Sequence, residues 1–98
     1  MGNATFDWDS EDQEDGNVQH ILSHGVQAEE VEEAILDSRR LGVPAYNVGD
    51  EQRYGLLGAT EGGRILLVFY TRRDGKIRPI TAREAGDSEK RRYRQRGK

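Results

Sequence analysis

From Asn17 to Asp37 the apolar residues return every three or four positions, whereas from Arg53 to Ala82 they alternate or run together. The first spacing suits helices that bury one stripe, the second the strands of a sheet. Val18, Ile21 and Leu22 make the stripe of a short first helix, with Asn17 as its expected N-cap and Gly25 as its stop. Ala28, Val31, Ala34 and Ile35 make the stripe of a second helix, from about Ala28 to Asp37. Glu29, Glu30, Glu32 and Glu33 crowd its opening turns, where the helix dipole favours acids. Ahead of both helices, Thr5-Phe-Asp-Trp8 alternates as a short strand does, and Ser10 to Gly16 is an acidic stretch expected to form a mobile loop. Arg53 to Thr60, Arg64 to Arg72 and Lys76 to Ala82 read as strands joined by turns at Glu61-Gly-Gly63 and Asp74-Gly75. Asp87 or Ser88 caps a last helix, from about Glu89 to Arg96, before a frayed tail at residues 97–98. Its only large apolar residue is Tyr93, so it either lies loosely on the sheet or docks on a partner.

The turns set a register. A two-residue Asp74-Gly75 loop places Arg73 opposite Lys76, Arg72 opposite Ile77 and Thr71 opposite Arg78. A two-residue Gly62-Gly63 loop places Leu56 opposite Phe69 and Arg53 opposite Arg72. Cross-strand neighbours share a face, so Leu56, Leu67, Phe69, Ile80 and Ala82 are expected together, with Tyr54 and Arg78 towards one end. Arg53, Leu57, Val68, Tyr70, Arg72 and Arg83 fall on the other face. On this map Arg53 and Arg78 cannot both enter one site from mid-strand. A three-residue Glu61-Gly-Gly loop would slip the first strand and exchange its faces. Pro79 removes a ladder donor, which puts its strand at an edge or leaves it locally unpaired.

With 98 residues the chain makes one domain, and 34% charged residues leave it a modest core. It has no cysteine, which excludes disulfides, thiol nucleophiles and thiolate metal sites. The N-terminus has neither the basic nor the apolar segment of a leader, and Ile65 to Tyr70 is too short an apolar run to cross a bilayer. A cytoplasmic protein without a membrane partner is therefore expected. The net charge of −3 conceals a division. Residues 1–38 hold eleven acids and no Lys or Arg, while residues 39–98 hold all fifteen Lys and Arg against seven acids, a net of +8. Either the basic half meets a polyanion, or the halves pair with each other inside the fold.

Candidate chemistry is concentrated in that basic half. Arg53, Arg72, Arg78 and Arg83 lie in or beside strands, where guanidinium groups clamp phosphates or, alternatively, guard a sheet edge and pair with acids. The run Lys90-Arg91-Arg92-Tyr93-Arg94-Gln95-Arg96 suits contacts to a nucleic-acid backbone and a base, or is simply solvated. His20 and His24 stand four apart on the first helix, a spacing open to metal binding, to acid–base work or to mere exposure. No phosphate-cradling glycine loop, Ser-His-Asp arrangement or HExxH motif occurs.

Phe6-x-Trp8-Asp9, Asn17-x-x-His20-Ile21-x-x-His24-Gly25-Val26 and Glu29-Glu30-Val31-Glu32-Glu33 resemble the opening of the BrnT toxin family. Gln52-Arg53-Tyr54, Gly58-x-Thr60, Ile77-Arg78-x-Ile80-Thr81-Ala82-Arg83 and Glu89-Lys90-Arg91-Arg92-Tyr93 continue the resemblance in order. It implies an α+β, RelE-like fold: an antiparallel sheet with two N-terminal helices and one C-terminal helix. It further implies a ribonuclease toxin of a type II toxin–antitoxin pair. Such a toxin cuts RNA by attack of the 2′-hydroxyl, with no metal or other cofactor. Its partner would be a BrnA-like ribbon-helix-helix antitoxin, through which alone it meets DNA. The catalytic candidates are then Arg53, Arg78, Arg83, His24 and Tyr93, and the RNA-binding candidates Arg72, Arg91, Arg92 and Arg94. The chain departs from the family pattern at Ser23, where a basic residue is usual, in the acidic stretch between Asp9 and Gly16, and at Pro79. The first two departures keep open an attenuated nucleic-acid- or antitoxin-binding module, and the acidic and basic faces keep open a self-associating interaction protein.

Overall fold

Residues 4–95 are described by a computed structural model. Two helices, α1 (Asn17–Leu22) and α2 (Ala28–Leu36), precede four strands, β1 (Leu41–Val43), β2 (Arg53–Ala59), β3 (Ile65–Arg73) and β4 (Lys76–Glu84), and α3 (Asp87–Gln95) follows them. The strands form one antiparallel sheet in chain order. This is the α+β arrangement, two helices before the sheet and one after, that the resemblance implied. Arg96 and residues 97–98, where the last helix and the tail were expected to end, lie outside the described residues.

α1 stops where Gly25 takes φ 79°, so that the Gly25 and Val26 N–H groups bond back to the Leu22 and Ile21 carbonyls. Its N-cap is Gly16, not Asn17, whose amide is committed elsewhere in the fold. In α2, Val31, Ala34 and Ile35 are buried and pack with Ile21 and Val26 against Leu56, Leu66, Val68 and Ala82. That contact depends on Gly58, where a Cβ would come within 2.1 Å of the Ala34 carbonyl oxygen. A second, smaller cluster on the opposite face joins Leu57, Ile65, Leu67 and Ala85 to Leu41, Val43, Phe69 and Tyr93. α3 buries no residue and rests on this face through Tyr93, whose hydroxyl donates to the Asp37 carboxylate. Of the two expectations for α3, it is the sheet that receives it.

The Asp74-Gly75 turn has the expected register, with both residues at positive φ. The other hairpin corrects the expected map. Its loop has three residues, because Arg64 is clasped by Thr60: the Thr60 N–H donates to the Arg64 carbonyl, and the Arg64 N–H to the Thr60 hydroxyl. Arg53 therefore faces Thr71 rather than Arg72, and Leu56 faces Val68 rather than Phe69. A second departure lies in β4. Tyr70 pairs with Pro79 but Phe69 with Thr81, leaving Ile80 as the extra residue of a β-bulge. Arg78 and Arg83 are five apart, which in an even strand puts them on opposite faces. The extra residue returns both to one face, in the rows of Thr71 and Leu67. Arg53, Thr71 and Arg78 thus form a single cross-strand row, and the expected separation of Arg53 from Arg78 does not hold.

β4 is a sheet edge, as Pro79 led us to expect. The Ile77 N–H points outward to the Thr5 carbonyl, and Ile77 accepts from the Asp7 N–H in return. Two residues on, Pro79 would aim its missing donor the same way. The strand expected at residues 5–8 is reduced to this single parallel bridge, Phe6 to Ile77. β1 was not anticipated, since three residues are too few for a period to show.

Candidate functional site

Arg78 stands at the centre of a network that ties the N-terminal segment to the β4 edge. Its Nη1 and Nη2 donate to the two Asp9 carboxylate oxygens at 3.1 and 2.9 Å, and Asp7 lies 3.6 Å away. Asp9 and Asn17 exchange backbone-to-side-chain bonds in both directions at 2.9 Å. The Asn17 amide also donates to the carbonyls of Asp7 and Pro79. This last bond holds the residue beside the bulge. The Arg78 guanidinium and the Asn17 N–H hold the Asp9 carboxyl below the usual carboxylate range.

Beside this network opens a cavity of about 630 Å³, lined by Gly16, Asn17, Gln19, His20 and Ser23 from one side and Arg53, Arg73, Arg78, Pro79 and Ile80 from the other. Glu14, Asp15 and Glu51 also line it. Arg53 brings a buried polar atom to this cavity that is left unsatisfied. Its Nη2 is 3.7 Å from Glu51, and its buried Nε has no hydrogen-bond partner among the described residues. The Arg53 N–H donates to the Asn47 side chain, which fixes the entry into β2. His20 reaches the sheet through Nε2, 3.2 Å from the Thr81 hydroxyl. His24 is exposed behind it, the two rings edge-to-face at 5.0 Å. Among the described residues no three His, Asp or Glu side chains cluster closely enough to hold a metal ion.

The remaining sequence candidates are dispersed. Arg83 forms a bidentate pair with Glu89 at 2.9 and 3.0 Å, and Glu89 also accepts from the Gly86 N–H at the start of α3. Glu89 is accordingly held below the usual carboxylate range, first by Arg83. Tyr93 faces the second cluster and Asp37, away from the cavity lining. Arg72 sits 5.9 Å above the Tyr54 ring, which stacks on Tyr70. Arg91, Arg92 and Arg94 are exposed on α3. The acidic and basic halves do pair across the fold, through Arg78 with Asp9 and Arg64 with Glu30. The structure thus brings Arg53 and Arg78 together, adds Arg73, which the sequence reading had not placed in a site, and puts His20 rather than His24 in the cavity lining. Their signal was hidden because a bulge leaves no mark on apolar periodicity, and Asn17 reads as a cap until its partners are known.

No helix among the described residues is long and apolar enough to cross a membrane. Residues 8–89 match the family model described as the ribonuclease toxin, BrnT, of type II toxin–antitoxin systems. A search of curated proteins finds no match.

Proposed function

The chain belongs to the BrnT family of type II toxin–antitoxin ribonucleases, and on that premise we propose that it cuts RNA in the cavity beside β4 without a metal ion. The ribose 2′-hydroxyl gives up its proton and attacks the adjacent phosphorus in line. The bond to the 5′-oxygen breaks, that oxygen takes a proton, and a cyclic phosphate and a 5′-hydroxyl remain. Arg53 grips the phosphate and stabilises the charge that develops on it. The observation that carries this assignment is its buried, unpartnered Nε in a cavity it shares with His20 and Arg78. His20 is better placed than His24 as the acid–base group, with His24 packed against its ring. Arg78, engaged by Asp9, positions the edge strand and adds positive potential. Arg83 and the α3 arginines Arg91, Arg92 and Arg94 hold the RNA backbone away from the reacting atoms, with Tyr93 seating α3, while Arg72, over Tyr54 on the opposite sheet face, lies outside that path. The partner is a BrnA-like ribbon-helix-helix antitoxin, and the site of action is the cytoplasm.

One observation favours a second reading, a module that keeps the fold and binds antitoxin or RNA without cutting. Two of the candidate arginines, Arg78 and Arg83, are already clasped by carboxylates, and three acids line the cavity. A single expression experiment separates the two. The toxin reading expects growth arrest in bacteria, relieved by co-expression of a ribbon-helix-helix protein encoded beside it. Purified protein then cleaves RNA equally with and without a chelator. Arg53→Ala lowers cleavage by about a hundredfold, the scale of losing one transition-state donor. Intact RNA and unimpeded growth, alongside tight antitoxin binding, establish the binding module instead.

A further inference from the structure

We propose that the apolar hollow between Tyr46 and Phe69 is a nucleobase subsite, which seats the base next to the phosphate held by Arg53. The inference rests on the RNA-cutting reading and adds to it the element that would select or steady the substrate. The hollow, of about 250 Å³, is lined by Ala45, Tyr46, Arg53, Phe69, Ile80 and Thr81. Arg53 and Ile80 line the larger cavity as well, so the two spaces adjoin along these two residues. A nucleotide needs this combination: a cation for its phosphate and, a few ångströms on, flat apolar walls for its base.

Three features show that the hollow is built. Tyr46 is 90% exposed, the most exposed of the large hydrophobic residues described. Yet it sits on an ordered arm. Val48 and Glu51 exchange backbone bonds across a turn with Gly49 at φ 58°, Asn47 accepts from Arg53, and the Gln52 carbonyl accepts from the Thr71 hydroxyl. A second lining residue, Phe69, lies over β2 because Gly55 has no side chain; a Cβ there would come within 2.9 Å of its ring. The third wall, Ile80, is the extra residue of the β4 bulge. Charge complementarity favours a nucleotide over a peptide side chain here, because among the described residues the single charged one lining the hollow is a cation whose Nε lacks a partner.

The test uses equilibrium binding of a short 2′-O-methyl RNA, which cannot be cleaved, to the full chain. Tyr46→Ala is expected to weaken binding about tenfold, the scale of losing one stacked base, while Tyr46→Phe binds as wild type does. Because Tyr46 carries no charge, the dependence of affinity on salt keeps its slope, whereas Arg53→Ala makes it shallower. An oligonucleotide with an abasic position at the bound site is expected to bind wild type and Tyr46→Ala alike. Wild-type affinity in Tyr46→Ala, with RNA binding otherwise intact, overturns the subsite and leaves the ribonuclease reading standing. Loss of antitoxin neutralisation in Tyr46→Ala with RNA binding unchanged assigns the hollow to the antitoxin and equally overturns it. A wild-type chain that binds no RNA defeats both readings together.

Discussion

Asp9 accepts two hydrogen bonds from Arg78 and one from the Asn17 backbone, and its side chain is only 17% exposed. An arginine that reads from the sequence as a phosphate clamp is thereby shared with a carboxylate of the same chain. Its contribution to stability has a definite sign. The folded-state pKa of Asp9 is depressed. The stabilisation is therefore complete above the unfolded carboxylate value of about 3.9 and is lost as pH falls through the lower folded value. Asp9→Asn is expected to cost about 1–2 kcal/mol at pH 7. Thermal unfolding followed against pH checks this, and the gap between variant and wild type should close in acid. A gap that persists unchanged at low pH would show that charge on Asp9 is irrelevant. Arg83 is the contrasting residue, half exposed and paired with Glu89, where solvent screens the interaction.

At the scale of elements, close approach rather than apolar pattern sets how α2 meets the sheet. Gly58 in β2 lies under the Ala34 carbonyl with no room for a methyl group. Gly58→Ala is expected to destabilise the fold by about 2 kcal/mol through forced separation of α2 from β2. Gly62→Ala, in the open turn with its nearest neighbour at 3.8 Å, is expected to change stability by less than about 0.5 kcal/mol. Urea unfolding of the pair decides it, and equal midpoints would contradict the packing argument. Helices and hairpins were legible because stripes and turn residues are local signals. Register was not, because the choice between a two- and a three-residue loop depends on Thr60 clasping Arg64, and the bulge on Pro79 at an edge bonded by Asn17.

For the whole molecule, the divided charge resolves into faces. α2 presents Glu29, Glu32 and Glu33 beside Asp37 and Glu61 on one side, while α3 presents Arg91, Arg92 and Arg94 on the sheet face that carries Arg53 and Arg83. RNA is expected to follow the second. Replacing Arg91, Arg92 and Arg94 by glutamine should lower the slope of log affinity against log salt by about 2, at roughly 0.7 per single-strand phosphate contact. It should leave thermal stability unchanged, because α3 buries no residue. A slope that does not move would place RNA elsewhere. By itself the sequence determined the helices and the three long strands, the edge position of Pro79, the segregation of charge and the family resemblance, since each rests on residue type and short-range spacing. Only the tertiary structure decided which arginines share a face, which of them are already neutralised, and that His20 and Arg53 line one cavity. Those outcomes turn on a one-residue shift in each of two strand pairings, and in a sheet a shift of one residue exchanges the faces.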